Sequence, residues 1–267
     1  YNELRFDGLS GEAETLVLGS DLTIRGDGRF FASRSEDEIQ VLSRLEGVEG
    51  SILRLDDINN AGEALRVDAG AGRVALEGDL SEAVVSGTGV FDLFSGQLAD
   101  VTLDMDARLD AAVFGRSVSV EGDLVINETL SVEGGDSRSA TMTVRGEQTL
   151  SGTGEIVLSA SQANGQQSQL TFSGVDSGSE TSVIAVGLTV RGAGALDAAT
   201  GTGDRLEIAG TVRAEGGRLR LDDAGQVDVT GVLGAAAGAE LEINGGLTLT
   251  DQSRIEIGLD AQGGFGV

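Results

Sequence analysis

Carboxylates are the side chains of this sequence with the most chemical potential. The chain holds 44 Asp and Glu residues. Two or three acids on neighbouring strands would serve a glycosidase, and a polysaccharide lyase needs a base beside calcium ligands. Because so many acids occur in 267 residues, close groups also arise by chance, and a solvated acidic face is the favoured interpretation. The closest groups are Asp104, Asp106 and Asp110, and Asp56 and Asp57 with Asn59.

Several reactive residue types are absent. The chain has no His, no Cys and no Lys, and all 18 basic residues are Arg. This composition excludes His-dependent acid–base catalysis, Cys nucleophiles, Schiff bases, the usual zinc sites and the P-loop lysine. Gly87-Thr-Gly89 and Gly152-Thr-Gly154 lack the third glycine of a dinucleotide site, so we interpret them as turns. The sequence therefore predicts no catalytic, cofactor-binding or metal-ligating residue, no cofactor and no enzymatic activity.

A strand–turn–strand pattern must position any site in this chain. In the stretch from Gln148 to Ser159, alternating apolar and polar residues lie on both sides of a Gly-x-Gly turn. The same turn begins at Gly26, Gly87 and Gly192, so that successive leading glycines are 61, 65 and 40 residues apart. These separations fit three, three and two coils of roughly 20 residues each, a period typical of solenoids.

Short strands dominate the chain and predict its fold class. Three-residue apolar-polar-apolar strands such as Leu206-Glu-Ile208 and Leu219-Arg-Leu221 suit a β-helix, where each strand pairs with the coils above and below. The absence of proline fits such pairing, because each backbone N–H must reach a neighbour. We predict an all-β fold: one elongated right-handed parallel β-helix, or β-solenoid, with residues 1–267 as a single domain. Its buried columns should include Ile156, Leu158, Val190, Ile208 and Leu221.

Two segments leave alternatives open. Over 35–46, Ser35 with Glu38 forms a capping box that favours one short helix, whereas Ile39 and Val41 equally suit another strand. Residues 160–181 are rich in Ser, Gln, Gly and Asn around one strand, Leu170-Thr-Phe172. This polar segment either leaves the coil as a loop or builds the wall of a groove.

The charge balance limits the partners of the protein. The formal net charge is −26, and such a surface repels nucleic acid and anionic membranes. The sequence contains no apolar run long enough to span a membrane. We therefore expect neither nucleic-acid binding nor membrane insertion.

The repeat style resembles that of one group of proteins. The segments Gln148–Leu158, Leu188–Leu196 and Gly210–Leu219 are similar to the passenger regions of autotransporter and filamentous-hemagglutinin-like adhesins. These are large secreted bacterial surface proteins, predicted or known as right-handed β-helices. The resemblance is clearest over 140–260 and weaker over 1–135. It implies secretion, an elongated shape and a role in adhesion or surface display, with a host-surface, glycan or matrix ligand as the candidate partner. It carries over no active-site residue.

Three classes of function are consistent with these features. A carbohydrate-active enzyme, either glycosidase or lyase, would need a loop with acids, and segment 160–181 supplies only Asp176 and Glu180. A glycan-binding or ice-binding module would need a flat array such as Thr-x-Thr on successive coils. The two Thr-x-Thr segments, Thr141-Met-Thr143 and Thr248-Leu-Thr250, are too isolated to form one. We therefore expect a non-enzymatic structural rod or stalk of a secreted bacterial cell-surface or extracellular filament protein.

The two ends of the sequence lack a recognisable cap. Neither Tyr1–Phe6 nor Gly263–Val267 has the polar pattern of a capping element. Because an open coil exposes unpaired backbone groups, we expect either continuation in a longer chain or end-to-end association with further copies.

Overall fold

The described part of the protein is a β-solenoid. The computed structural model describes residues 2–7, 13–33, 37–70, 72–160, 168–175, 179–198, 203–223 and 225–259. Within these ranges the chain forms parallel strands and no helix, stacked in about ten turns. The predicted all-β, parallel β-helical fold is thereby confirmed.

Thirty strands make up the described part of the solenoid. The first half comprises β1 (Glu3–Phe6), β2 (Thr15–Leu18), β3 (Thr23–Arg25), β4 (Gly28–Ala32), β5 (Glu38–Val41), β6 (Arg44–Glu46), β7 (Ile52–Leu55), β8 (Ile58–Asn59), β9 (Ala64–Asp68), β10 (Arg73–Leu76), β11 (Leu80–Thr88), β12 (Phe91–Leu93), β13 (Ser95–Asp104), β14 (Ala107–Asp110) and β15 (Arg116–Val120). The second half comprises β16 (Leu124–Ile126), β17 (Thr129–Glu133), β18 (Ala140–Arg145), β19 (Thr149–Ser151), β20 (Glu155–Ser159), β21 (Ser168–Ser173), β22 (Thr181–Ile184), β23 (Thr189–Ala198), β24 (Arg205–Ile208), β25 (Thr211–Asp223), β26 (Gln226–Val229), β27 (Val232–Ala235), β28 (Glu240–Asn244), β29 (Leu247–Leu249) and β30 (Arg254–Ile257).

The strands stack in three columns, which we name faces A, B and C in the order that the chain visits them. Face A holds β1, β4, β7, β10, β12, β14, β17, β20, the first parts of β23 and β25, β27 and β30. Face B holds β2, β5, β8, the first parts of β11 and β13, β15, β18, β21, the second parts of β23 and β25, and β28. Face C holds β3, β6, β9, the second parts of β11 and β13, β16, β19, β22, β24, β26 and β29.

The core lies inside these columns. Alternate residues of a strand point to opposite sides of the sheet, so every second side chain points into the solenoid. On face A, Leu130, Ile156, Val190 and Val212 follow one another in register on successive coils and are fully buried. The five residues predicted to be buried are all at most 1% exposed: Ile156, Leu158, Val190, Ile208 and Leu221.

Glycines turn the corners between faces. The Gly-x-Gly pairs that begin at Gly26, Gly87 and Gly152 all lie where the chain passes from face C to face A. At Gly152, φ is +115°, and a Cβ there would overlap the carbonyl group of Ile126 in the preceding coil. Only glycine allows both this backbone conformation and this close approach.

The prediction that two coils separate Gly152 from the fourth Gly-x-Gly pair was wrong. Gly192 and Gly194 lie inside β23, where it bends from face A to face B. The coil that leads from Glu155 to its partner Thr189 is much longer than the coil that leads from Phe91 to its partner Ala107. From Gly152 to Gly192 the chain therefore completes one coil and a corner instead of two coils. The two earlier separations do correspond to three coils each.

The helical alternative for residues 35–46 was also wrong over the described residues 37–46, which contain the strands β5 and β6. Ile39 pairs with Leu16 below and with Ile58 above, and it is fully buried with Val41. The strand alternative satisfies the backbone groups of neighbouring coils, which a helix at this position would leave unpaired. Ser35 and the start of the proposed capping box lie outside the described residues.

Candidate functional site

The acids Asp104, Asp106 and Asp110 have separate structural roles. The Asn127 side-chain amide donates to Asp104 Oδ1 at 2.6 Å, and the Thr129 backbone N–H donates to Asp106 Oδ1 at 3.1 Å. Asp110 accepts the N–H of Ala112 at 2.7 Å, within its own turn. Two of the three acids therefore tie one coil to the next. No three acidic side chains among the described residues are arranged to hold a metal ion.

The second acidic group lies where the chain leaves face A. Asp56 forms an ion pair with Arg29, and the side chain of Asn59 donates to Glu38 at 3.0 Å. Burial, followed by the charges of Asp56 and Asp79, raises the pKa of the Asp57 carboxyl. Desolvation and like charges disfavour the ionised form. These contacts place Asp56 and Asn59 in structural pairs rather than around a common substrate position.

The main groove lies at the corner between faces B and C. It has a volume of about 810 Å³ and follows the ends of β15, β18 and β21. Arg145 Nη1 lies 3.1 Å from Glu121 Oε1, and Glu180 Oε2 accepts the backbone N–H of Val175 at 2.8 Å. Its lining residues are Glu121, Arg145, Gly146, Glu147, Gln148, Ser173, Gly174, Val175 and Glu180.

The described residues of the polar segment 160–181 contribute to one wall of this groove, which agrees with the second of its two predicted alternatives. Ser173, Gly174, Val175 and Glu180 contribute to the lining. The predicted strand Leu170-Thr-Phe172 lies within β21. Asp176 lies outside the described residues, as do residues 161–167.

Beside the groove, face B presents an uncharged polar surface that we name the neutral platform. Ser117, Thr141 and Gln169 stack in one outward column, and Ser119, Thr143 and Thr171 stack in the next. Ser95 and Gln97 extend the two columns one coil downward. The neutral platform thus has two columns on four coils: Ser95, Gln97, Ser117, Ser119, Thr141, Thr143, Gln169 and Thr171.

The inward partners of these residues fix the orientation of the neutral platform. Val118, Met142 and Leu170 alternate with the outward polar residues and are at most 1% exposed. A slip of one residue would bury the hydroxyl groups and expose this apolar column. The core therefore holds the outward side chains in a regular array. Neighbouring strands are about 4.8 Å apart, and outward residues on one strand are about 7 Å apart.

Two Phe–Arg pairs border the platform where its strands begin. The Arg116 guanidinium lies 4.0 Å from the ring centre of Phe94, and that of Arg138 lies 5.3 Å from the ring centre of Phe114. Phe94 immediately precedes Ser95 and is buried, whereas Phe114 is 60% exposed. Such guanidinium–ring contacts stabilise both partners. The platform thus has aromatic groups at one edge and the groove at the other.

Acidic residues continue one of the two platform columns in the following coils, whereas Ala195 and Arg220 continue the other. Asp197 pairs in register with Thr171, and Asp222 pairs with Asp197. Burial and then the neighbouring Asp222 raise the pKa of the Asp197 carboxyl. Thr171 donates its hydroxyl to Asp197 Oδ2 at 3.4 Å. The neutral platform therefore ends at a pair of stacked carboxylates.

Thr141-Met-Thr143 has no second Thr-x-Thr segment beside it, as expected, but polar segments of other composition are its neighbours. Its neighbours in the structure are Ser117-Val-Ser119, one coil earlier, and Gln169-Leu-Thr171, one coil later. The available signal was the polar-apolar-polar pattern shared by all three segments. The unequal coil lengths concealed their common register.

Comparisons with known proteins gave no match: no protein-family model, no curated protein and no solved structure is significantly similar to the chain.

Proposed function

We propose that the protein is a non-enzymatic rod or stalk of a secreted bacterial cell-surface or extracellular filament protein. The observation that supports this most directly is the unbroken core. One cluster of buried apolar residues runs from Phe30 to Ala239 through successive coils. A solenoid of this kind gains stability from each interface between neighbouring coils. About ten turns, at about 4.8 Å per turn, give a stack roughly 50 Å long.

The last described coil offers an apolar surface for further stacking. Ile255 and Ile257 are 51% and 58% exposed, although their in-register partners one coil below, Leu233 and Ala235, are buried. On the first described coil, Leu4 is 44% exposed, although its in-register partner Phe30 is buried. Burial of such residues by another coil is favourable. We propose that both edges join further coils, either of a longer chain or of another copy.

The arrangement of the acids favours a structural role over catalysis. Asp104 and Asp106 bind residues of the following coil, and Asp56 binds Arg29. The raised carboxyl pKa values belong to Asp57 and Asp197, which do not line the main groove. A glycosidase pair needs a protonated acid and an ionised carboxylate on opposite sides of one bond.

A secreted location agrees with the resemblance of the repeats to adhesin passenger regions. The high negative charge keeps an elongated particle soluble and separates it from other acidic particles. The described residues contain no helix that could cross a membrane.

Small-angle X-ray scattering of the 267-residue chain tests the rod. We expect a skewed distance distribution with a constant cross-section along the long axis. A symmetric distribution typical of a sphere would contradict the proposal.

Sedimentation velocity at increasing protein concentration tests the open edges. We expect association that Ile257→Glu removes, because a charge in a stacked apolar column is costly. Val186→Glu is the control, since Val186 is 80% exposed in a turn away from both edges. A chain that stays monomeric at high concentration would contradict end-to-end association.

A further inference from the structure

We infer that the neutral platform and its adjoining groove bind a neutral polysaccharide chain. This inference goes beyond the rod, because a binding surface on face B serves the protein whether or not its coils associate with other copies. The surface lies on the side of the solenoid and leaves both edges open.

The charge distribution selects the ligand. The protein carries a net charge of −26, yet the two platform columns contain no charged side chain on four successive coils. A polyanion would be repelled by the surrounding acids, and a polycation would find its partners outside the platform. An uncharged polymer meets neither obstacle, so the platform fits a polyhydroxylated chain without carboxylate or sulfate groups.

Hydrogen-bonding capacity on the platform is largely unused. Thr141 donates to Gln169 at 3.1 Å, Thr171 donates to Asp197, and Ser95 donates to the carbonyl oxygen of Glu77. The other four side chains form no hydrogen bond with the rest of the described chain: Gln97, Ser117, Ser119 and Thr143. Hydroxyl and amide groups can each donate and accept. They therefore complement sugar hydroxyl groups, which also do both.

The edges of the platform supply the remaining contacts. Phe114 lies just before β15, the strand of Ser117, and exposes its ring, which offers an apolar face for the C–H groups of a sugar ring. At the opposite edge, Glu121, Arg145 and Ser173 each follow a platform residue by two positions and line the groove. An extended chain can therefore cross from Phe114 over the hydroxyl columns into the groove. Small-molecule sites enclose their ligand in a single cleft, whereas the platform together with the groove offers contacts to several successive sugar units.

Retention of the purified chain on insoluble polysaccharides tests this inference. The probes are cellulose, chitin and an insoluble β-1,3-glucan, with cross-linked polygalacturonate as the acidic comparison. We expect retention on at least one neutral polymer, competition by its soluble oligosaccharide and no retention on polygalacturonate. Failure on all three neutral polymers, or equal retention on polygalacturonate, would overturn the inference.

Matched variants locate the binding surface. Thr143→Glu places a charge on the platform, and Phe114→Ala removes its exposed ring; each should weaken retention about tenfold or more. Thr102→Glu on face C and Phe31→Ala on face A are the controls, because Thr102 also points outward and Phe31 also lies under an arginine, Arg29. Both controls should bind like the unchanged chain.

Ser119→Glu is a second platform variant that tests the same prediction if Thr143→Glu fails to fold. Thermal melting establishes whether each variant is folded. Retention that survives both charge substitutions, or that Thr102→Glu removes equally, would overturn the assignment to face B. The X-ray scattering that tests the rod does not depend on polysaccharide binding. The rod proposal and the binding proposal can therefore fail independently of each other.

Discussion

Arg191 binds Glu155 of the preceding coil through two parallel hydrogen bonds, although the two residues are far apart in sequence. Its Nε lies 2.6 Å from Glu155 Oε2, and its Nη2 lies 2.7 Å from Oε1. Its Nη1 lies 3.2 Å from Glu215 Oε2 in the next coil. One arginine on face A thus connects three successive coils. The guanidinium fork matches carboxylates in this two-bond geometry.

Glu155→Gln should lower stability by about 0.5–1 kcal/mol at pH 7, the range of a well-oriented, partly exposed ion pair. The hydrogen bonds from Arg191 lower the pKa of Glu155 in the folded state. The contribution is therefore present above the unfolded pKa, about 4.3, and is lost as pH falls through the lowered folded pKa. Urea unfolding from pH 7 down to pH 3 measures this difference.

Glu147→Gln is the control for that experiment, because Glu147 is exposed and forms no ion pair with the described residues. It should leave stability unchanged. A Glu155→Gln effect that persists at pH 3 would show that packing, rather than charge, is responsible.

Asp197→Asn should raise the melting temperature at pH 7. Burial and the adjacent Asp222 raise the pKa of Asp197 in the folded state, so its ionised form destabilises the fold above that pKa. As pH falls through the raised pKa, the penalty disappears and the advantage of Asn is lost. We expect a gain of about 1–3 °C at pH 7. Melting curves from pH 7 to pH 3 measure it.

Removing any negative charge from so acidic a protein reduces general repulsion, so Asp197→Asn needs a comparison. Asp251→Asn, in an exposed turn, removes the same charge without relieving a stacked carboxylate. Equal gains from the two variants would contradict a specific effect at Asp197.

Gly154→Ala should cost about 1–3 kcal/mol by crowding. A Cβ at this position would overlap the carbonyl oxygen of Glu128 in the preceding coil, while the backbone there lies outside the left-handed region. Gly19→Ala is the matched control, because no atom lies within 4 Å of its Cβ position. Urea unfolding of both variants measures the difference. Equal stability of the two variants would contradict the prediction and would mean that neighbouring coils move apart at this corner at little cost.

Ile208→Ala should cost about 2–5 kcal/mol, the range for truncation of a buried Ile. Ile208 is fully buried in a face C column between Ile184 and Val229. The adjacent Glu207→Ala should change stability by at most about 0.5 kcal/mol, since its side chain points outward. Chemical unfolding of the pair checks the inward and outward assignment, and a larger loss for Glu207→Ala would reverse it.

The local pattern of the sequence was enough to predict the inward residues of most strands. In β20, Ile156 and Leu158 alternate with polar or half-buried neighbours, and the period of two places them in the core. The same alternation predicts the burial of Leu219 and Leu221 around the outward Arg220. These assignments need only the short-range geometry of an extended chain.

The segment 37–46 shows where local pattern failed. Its apolar residues fit a helix and a strand equally well, and the choice was made by β2 and β8, which pair with β5 on both sides. The partners are Thr15 for Glu38 and Ile58 for Ile39, and each lies a whole coil away along the chain. Local sequence patterns cannot predict how far apart such paired residues lie in the chain, because turn lengths vary from coil to coil.

By itself, the sequence determined that this protein is built from short strands with turn glycines, a narrow aliphatic core and an acidic surface. Only the tertiary structure decided which strands are neighbours. Thr143 lies between Ser119 and Thr171 because one complete coil leads to it from Ser119 and another leads on to Thr171. These two coils differ in length, so no fixed period in the sequence reveals the match. Backbone pairing between coils fixes that register, and it brings distant hydroxyl groups together into the neutral platform.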